Sequence, residues 1–147
     1  MVQNAEEFEG MEGLPGLLFP FVPHSIESGI LQDSKDEMGG FPVYSVQGQP
    51  GKVWATKPAS GGTFLGIASF TTADCMHLGY GQGDQVNVLK KGRVWVKVSG
   101  EVLAGQAAYV NNSSGKITAS SSSATAITGG VFKSNAADGR LAQLEIA

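Results

Sequence analysis

Valines occupy every second position of the segment 92–100, GRVWVKVSG, and polar residues or tryptophan stand between them. A repeat of two residues is typical of a β-strand that has one buried face and one solvated face. The pattern therefore predicts a strand whose Val94, Val96 and Val98 face the core. Trp95 is predicted to lie on the opposite face, and the segment carries no evident catalytic group.

Similar short apolar segments, separated by turns that contain glycine, continue from residue 41 to residue 147. The first half of this region holds the predicted strands 41–46, 52–56 and 63–70. The second half holds the predicted strands 85–90, 93–100, 101–111, 116–120, 127–134 and 140–147, with Lys91-Gly92 as a short turn between the first two. Several strands at a spacing of about ten residues, with hardly any helix, predict an all-β sandwich or barrel.

A single short helix is predicted, within residues 24–40. Ile26, Ile30 and Leu31 show partial helical spacing there, and a pair of glycines at 39 and 40 would end the helix. The predicted division of the chain therefore places a barrel domain at residues 41–147 and an arm with at most one short helix at residues 1–40.

The beginning of that arm combines three glycines and three prolines with an apolar cluster: Leu14, Leu17, Leu18, Phe19, Phe21 and Val22. Prolines at this spacing block both a long helix and a central strand, so the cluster is expected to be extended. Its large side chains can be buried in two ways, against the chain's own barrel or against a neighbouring subunit. The sequence leaves both open.

Length and composition fit one β-rich domain without disulfide bonds. The chain has 147 residues, of which 41% are hydrophobic and 16% charged, with 21 glycines. One cysteine excludes an intrachain disulfide. Neither a signal peptide nor an apolar run long enough for a membrane span is evident, so synthesis in a cytoplasm is expected.

Charge is distributed unevenly along the chain. Residues 1–40 carry eight acidic residues against one lysine, a balance of −7, and residues 41–147 carry nine basic residues against five acids, a balance of +4. The two parts therefore attract each other, within one copy or between copies, or else the acidic part is a solvated tail. Without an arginine cluster interleaved with aromatics, binding to nucleic acid is not expected.

Candidate catalytic and metal-binding patterns are weak. His24 and His77 lie far apart, and no spacing suited to zinc is present. Cys75 stands two residues before His77, but no third group is evident to orient them as a nucleophile and base. The glycines of residues 79–84 precede a predicted strand, whereas a dinucleotide site needs a helix there. We therefore expect no enzyme activity, no metal and no cofactor.

The two tryptophans, Trp54 and Trp95, each follow a valine in the predicted barrel. Each ring could form a platform for a sugar, stack on a nucleic-acid base, pack against another protein, or belong to the core. The sequence does not distinguish these roles.

The order of motifs in the second half of the chain resembles that of a known protein family. A G-x-V-x-V strand is followed by Ala104-Gly105-Gln106, by Tyr109-Val110 and by Gly115-Lys116 in a turn. A GG-V-F strand at 129–132 and a final strand, which begins at Ala136-Ala137, complete the series. Together with FLGIASF (64–70) and GYGQGDQVNVL (79–89), residues 41–147 resemble the structural cement, or head decoration, proteins of tailed bacteriophages.

The resemblance implies a small antiparallel β-barrel or β-tulip-like protein, often a homotrimer, on the outer surface of the expanded phage head. Its partners would be the major capsid protein and further copies of itself, with neither nucleic acid nor membrane involved. Contacts with the capsid or between subunits are expected from these side chains: Leu17, Phe19, Phe21, Trp54 and Trp95. The alternative is a carbohydrate- or receptor-binding β-sandwich module on a virion or cell surface, with a tryptophan as its platform.

Overall fold

The computed structural model describes residues 15–16, 18, 24–37, 39–49, 51–57, 62–69 and 79–147. These residues form nine strands: β1 Ser25–Leu31, β2 Pro42–Ser45, β3 Val53–Ala55, β4 Phe64–Ala68, β5 Gln85–Lys97, β6 Ala107–Asn111, β7 Ile117–Thr118, β8 Ala124–Phe132 and β9 Leu141–Ile146. The predicted all-β fold is confirmed. No helix able to span a lipid bilayer occurs among the described residues.

Five strands close into a barrel. They pair in the order β1, β3, β2, β4 and β5, and β5 returns to pair with β1. The β1–β3 pair is parallel, and the other pairs are antiparallel. We call this ring of five strands the first barrel.

The remaining strands extend from the second half of β5 as a further sheet. Their order is β5, β9, β8, β6 and β7, and every pair is antiparallel. A parallel bridge between Val98 and Ile117 brings β7 back towards the chain that follows β5. The second sheet therefore curls around its own core.

Strand β5 belongs to both the first barrel and the second sheet. It continues through Lys91-Gly92, so the turn predicted there is wrong. Residues up to Lys91 pair with β1 and β4, and residues from Gly92 onwards pair with β9. Ser25 lies opposite Lys91 and the next residue lies opposite Leu89, so β5 contains one extra residue, a β-bulge. The chain thus passes from one unit to the other without reversing, because both halves of the strand find partners.

The described residues form two hydrophobic cores. The first lies inside the barrel and consists of Leu31, Phe41, Val43, Trp54, Ala68, Tyr80, Val86 and Val88. The second is formed mainly by the second sheet and includes Val94, Phe132 and Leu144. Tyr44, Ile67 and Leu89 of the barrel strands also pack into the second core, so the outer wall of the barrel forms part of its lining.

The helix predicted within residues 24–40 is wrong, because residues 25–31 form β1. Ile26 and Ile30 are exposed on one side of this strand, whereas Gly29 and Leu31 are buried on the other. A Cβ atom on Gly29 would lie 2.6 Å from the Trp54 ring, so only glycine leaves room for the indole there. Cross-strand pairing and this close approach override the partial helical spacing.

The described part of the arm lies on the chain's own second sheet. The Gly16 amide donates a hydrogen bond of 2.8 Å to the Trp95 carbonyl. Leu18 forms an antiparallel bridge with Val94 and packs against the second core. At these positions the arm therefore covers the edge of β5 that β9 leaves free.

Candidate contact surface

The side chains that point away from the second core on β5 and β9 form one surface. In register, Arg93 lies opposite Glu145, Trp95 opposite Gln143, and Lys97 opposite Leu141. We call these six residues the β5–β9 face. The valines that alternate with them on β5, at positions 94 and 96, are fully buried. The surface is therefore held by a packed core directly beneath it.

Glu145 organises the charges on the β5–β9 face. Its carboxylate accepts a hydrogen bond of 3.0 Å from the Arg93 guanidinium and lies 3.5 Å from the Lys133 amine. Burial alone would raise the pKa of Glu145, but the hydrogen bond and charge of Arg93, with the charge of Lys133, outweigh it and lower the pKa. With Lys97 alongside, three cations and one carboxylate give this region a net positive charge.

The structure separates the two tryptophans. Trp95 is half-buried on the β5–β9 face, as its alternation with the valines predicts. Trp54 is 2% exposed in the first core, and its indole N–H donates a hydrogen bond of 3.0 Å to the Gly51 carbonyl. Of the roles open to Trp54, core packing is therefore the one that the structure shows. Leu17, Phe19 and Phe21 lie outside the described residues.

Three large apolar side chains that are exposed among the described residues were missed by the sequence analysis. Ile26 and Ile30 on β1 are 41% and 42% exposed, and Leu103 is 48% exposed. Leu103 stands in a turn that is fixed by hydrogen bonds, because its amide donates to the Gln106 side chain and the Ala104 amide donates to Asn135. Alternation along a strand at 25–31 would have placed Ile26 and Ile30 on one face, but it would not have predicted that this face is exposed. No sequence signal distinguishes Leu103 from a buried leucine.

A cleft of about 340 Å³ lies between the first barrel and the second sheet. Lys35 and Phe41 line it from one side, and Lys97, Lys116 and Asp138 line it from the other. These residues come from distant parts of the chain, so the sequence alone does not predict the cleft.

Metal-binding and catalytic residues were predicted to be absent, and that prediction remains untested. Within the described ranges, no three His, Cys, Asp or Glu side chains are grouped so that they could hold a metal ion. Cys75 and His77 fall in the undescribed segment between Ser69 and Gly79.

Comparison with known proteins identifies the family. Residues 6–147 match the family described as "Structural cement protein (E217 gp24/Pam3 gp6)", a longer match than the predicted resemblance over 41–147. No curated protein matches the chain. Among solved structures, the head fiber gp8.5 N base of bacteriophage phi29 is similar at 12% identity and a TM-score of 0.48, over 85% of this chain and 95% of that one. The match over 6–147 shows that the chain belongs to the phage structural cement protein family and is a structural protein of the phage capsid.

Proposed function

We propose that the protein binds the outer surface of the expanded phage head as a homotrimer and stabilises the head by bridging neighbouring major capsid protein subunits, without catalysing a reaction. The family match over residues 6–147 is the observation that carries this proposal. A cement acts through surfaces, so the chemistry to examine is that of the exposed side chains.

The β5–β9 face has the composition of a protein contact. Tryptophan and arginine are enriched in protein interfaces and account for a large share of their binding energy. Trp95 and Arg93 stand side by side along β5 on this face, and the buried valines beneath them limit movement of the strand. We propose Trp95 as the central contact residue of this surface.

Trimerisation would increase the affinity of a modest contact. Three copies of one face on a rigid assembly bind a repetitive shell with an avidity about 10²–10⁴ times that of one copy.

In the proposed trimer, Leu17, Phe19 and Phe21 of the arm contact a neighbouring subunit. Their replacement by serine should lower the mass of the assembly in solution, and an unchanged mass would contradict the contact.

The direct test mixes the purified protein with undecorated expanded heads and images the particles. The proposal expects added density on the outside of the head, across junctions between major capsid protein subunits, and heads that resist heat better than undecorated ones. Absence of added density, or density confined to the centre of a single subunit, would contradict bridging.

Trp95→Ala tests the β5–β9 face within the same assay. Loss of a central interface tryptophan should cost about 2–4 kcal/mol of binding to the heads. The free energy of unfolding of the isolated protein should fall by much less. The matched control is Leu103→Ala, which removes an exposed apolar side chain outside this face and should leave binding unchanged. Equal losses of binding and stability in Trp95→Ala would assign Trp95 to folding alone.

A further inference from the structure

Three lysines converge on the cleft between the first barrel and the second sheet. Lys35 follows β1, Lys97 ends β5 and Lys116 precedes β7. The cleft also contains the carboxylates of Glu37 and Asp138. Its volume of about 340 Å³ suits a few side chains of a peptide.

Among the described charged side chains of the cleft, two lysines have no partner that would keep them from binding a ligand. Lys35 lies 3.5 Å from the Glu37 carboxylate, and Asp138 accepts a hydrogen bond of 2.7 Å from the Gly100 amide. Lys97 and Lys116 are exposed, and within the described part of the chain their amines have no hydrogen-bond or ion-pair partner. The cleft lining therefore carries three cations against two carboxylates, a net charge of +1, and the amines of Lys97 and Lys116 are its two cations without a direct partner among the described residues.

The described arm is directed at this cleft. Leu18 pairs with Val94 in an antiparallel bridge, so stepping back along the arm moves forward along β5, towards Lys97. Pro15 lies against Gly40, where an added Cβ would be 3.1 Å from the proline Cβ. Gly40 itself lines the cleft. The chain before Pro15 therefore starts from the rim of the cleft.

The residues just before Pro15 have the complementary charge. Four glutamates occupy positions 6, 7, 9 and 12, and no lysine or arginine precedes Lys35. Glu12 is three residues from Pro15 and Glu9 is six, so an extended chain places them within about 10 Å and about 20 Å of it. Both can therefore reach the cleft of the same chain.

We propose that the cleft is a binding site for an acidic peptide and that its occupant is the chain's own segment 6–12, with Glu9 and Glu12 against Lys97 and Lys116. The contact joins the acidic beginning of the chain to the basic remainder. It does not depend on the proposed capsid function, because the isolated protein contains both partners.

Carbodiimide cross-linking of the full-length protein tests the pairing. Isotopically light and heavy protein are unfolded together, refolded as a mixture and coupled, so that touching carboxylates and amines become amide bonds. The proposal expects links from Glu9 or Glu12 to Lys97 or Lys116, joining peptides of the same isotope. Links spread evenly over all lysines would overturn the site. Mixed-isotope links would overturn the assignment to the same chain in favour of another copy.

Proteolysis by a glutamate-specific protease gives an independent measurement. Lys97→Glu with Lys116→Glu should raise the cleavage rate after Glu9 and Glu12 by about two- to five-fold, the range expected for losing exposed ion pairs. The control, Lys57→Glu with Lys91→Glu, makes the same charge change at two exposed lysines outside the cleft and should leave the rate unchanged. Equal rates in the two double variants would overturn the proposal.

Discussion

The Tyr44 hydroxyl lies inside the second core, where the oxygen is buried and has no hydrogen-bond partner among the described residues. Its ring packs edge-on against Phe64, with the ring centres 6.1 Å apart. A buried hydroxyl without a partner loses its hydration and gains nothing in return. The ring therefore contributes to stability, whereas the oxygen opposes it.

Tyr44→Phe keeps the ring and removes the hydroxyl, so it should raise the free energy of unfolding by about 1 kcal/mol. Tyr80→Phe is the matched control, because that hydroxyl donates a hydrogen bond of 3.3 Å to the Ser69 carbonyl. The control should lose about 0.5–1.5 kcal/mol. Urea unfolding of both variants measures the two changes, and a loss in Tyr44→Phe would show that its hydroxyl has a partner.

Burial also predicts how Tyr44 responds to alkaline pH. It raises the pKa of Tyr44 to about 12 from the ordinary value of 10.0. The unfolded chain therefore releases this proton first, so ionisation of Tyr44 has no effect on the free energy of unfolding below pH 10 and lowers it between pH 10 and about 12. In that window the free energy of unfolding should fall less steeply with pH in Tyr44→Phe than in the original protein. Equal slopes would contradict the raised pKa.

At the residue scale, the sequence predicted the side of the strand for Trp95 but not the role of Trp54. Alternation with buried valines suffices to place Trp95 on an outer face. Trp54 is in a similar Val-Trp pair, but its burial depends on Gly29, which is 25 positions earlier and makes room for the indole. Such a pairing between distant residues arises only when the sheet has formed.

Among the elements, β5 shows where local patterns were sufficient and where they were not. Alternation correctly predicted the buried valines at 94 and 96, but Lys91-Gly92 has the composition of a turn and was interpreted as one. In the structure the two cores lie on different faces of β5, and the bulge near Lys90 changes the phase between its halves. The phase must change because the second half of β5 has to face the second core. The residues next to the bulge give no sign of this in the sequence.

Gly92 lies at the point of β5 where both the backbone conformation and the packing require glycine. Its φ of 130° disfavours any other residue, and an added Cβ would lie 2.8 Å from the His24 Cβ. Gly92→Ala should therefore lower the free energy of unfolding by about 3 kcal/mol. Chemical denaturation measures this loss.

Gly100→Ala is the control for Gly92→Ala, because Gly100 has a φ of 80° but nothing within 4 Å of an added Cβ. It should cost only about 1–2 kcal/mol, the backbone penalty alone. Equal losses in the two variants would show that the approach of His24 contributes nothing.

On the scale of the whole molecule, the shared wall should make the two cores unfold together. Tyr44, Ile67 and Leu89 belong to barrel strands yet pack into the second core, so disrupting either core exposes the other. The two tryptophans report on separate units, Trp54 on the first core and Trp95 on the second sheet.

Trp54→Phe and Trp95→Phe each leave one reporter. In each variant, the fluorescence of the remaining tryptophan and the circular dichroism of the strands should give the same denaturation midpoint. A Trp54 signal that changes before the strand signal would show that the barrel unfolds separately.

The overall architecture was predictable in class but not in its connections. Strand spacing indicated an all-β fold, and the order of motifs indicated the cement family, because both are properties of contiguous sequence. The closed ring of five strands and the lysine-lined cleft bring together residues that are far apart along the chain. Trp95 was therefore a predictable member of the candidate surface, whereas Lys35, Lys97 and Lys116 could not be grouped.

Strand edges that are covered by other parts of the chain affect how copies of the protein behave when they are close together. The Ser99 amide donates to the Ile117 carbonyl at the margin of β7, and Gly16 and Leu18 occupy the free margin of β5. Unpaired margins act as templates on which one molecule adds to the next and aggregates form. Covering these two margins therefore disfavours edge-to-edge addition of strands between copies that are held close together.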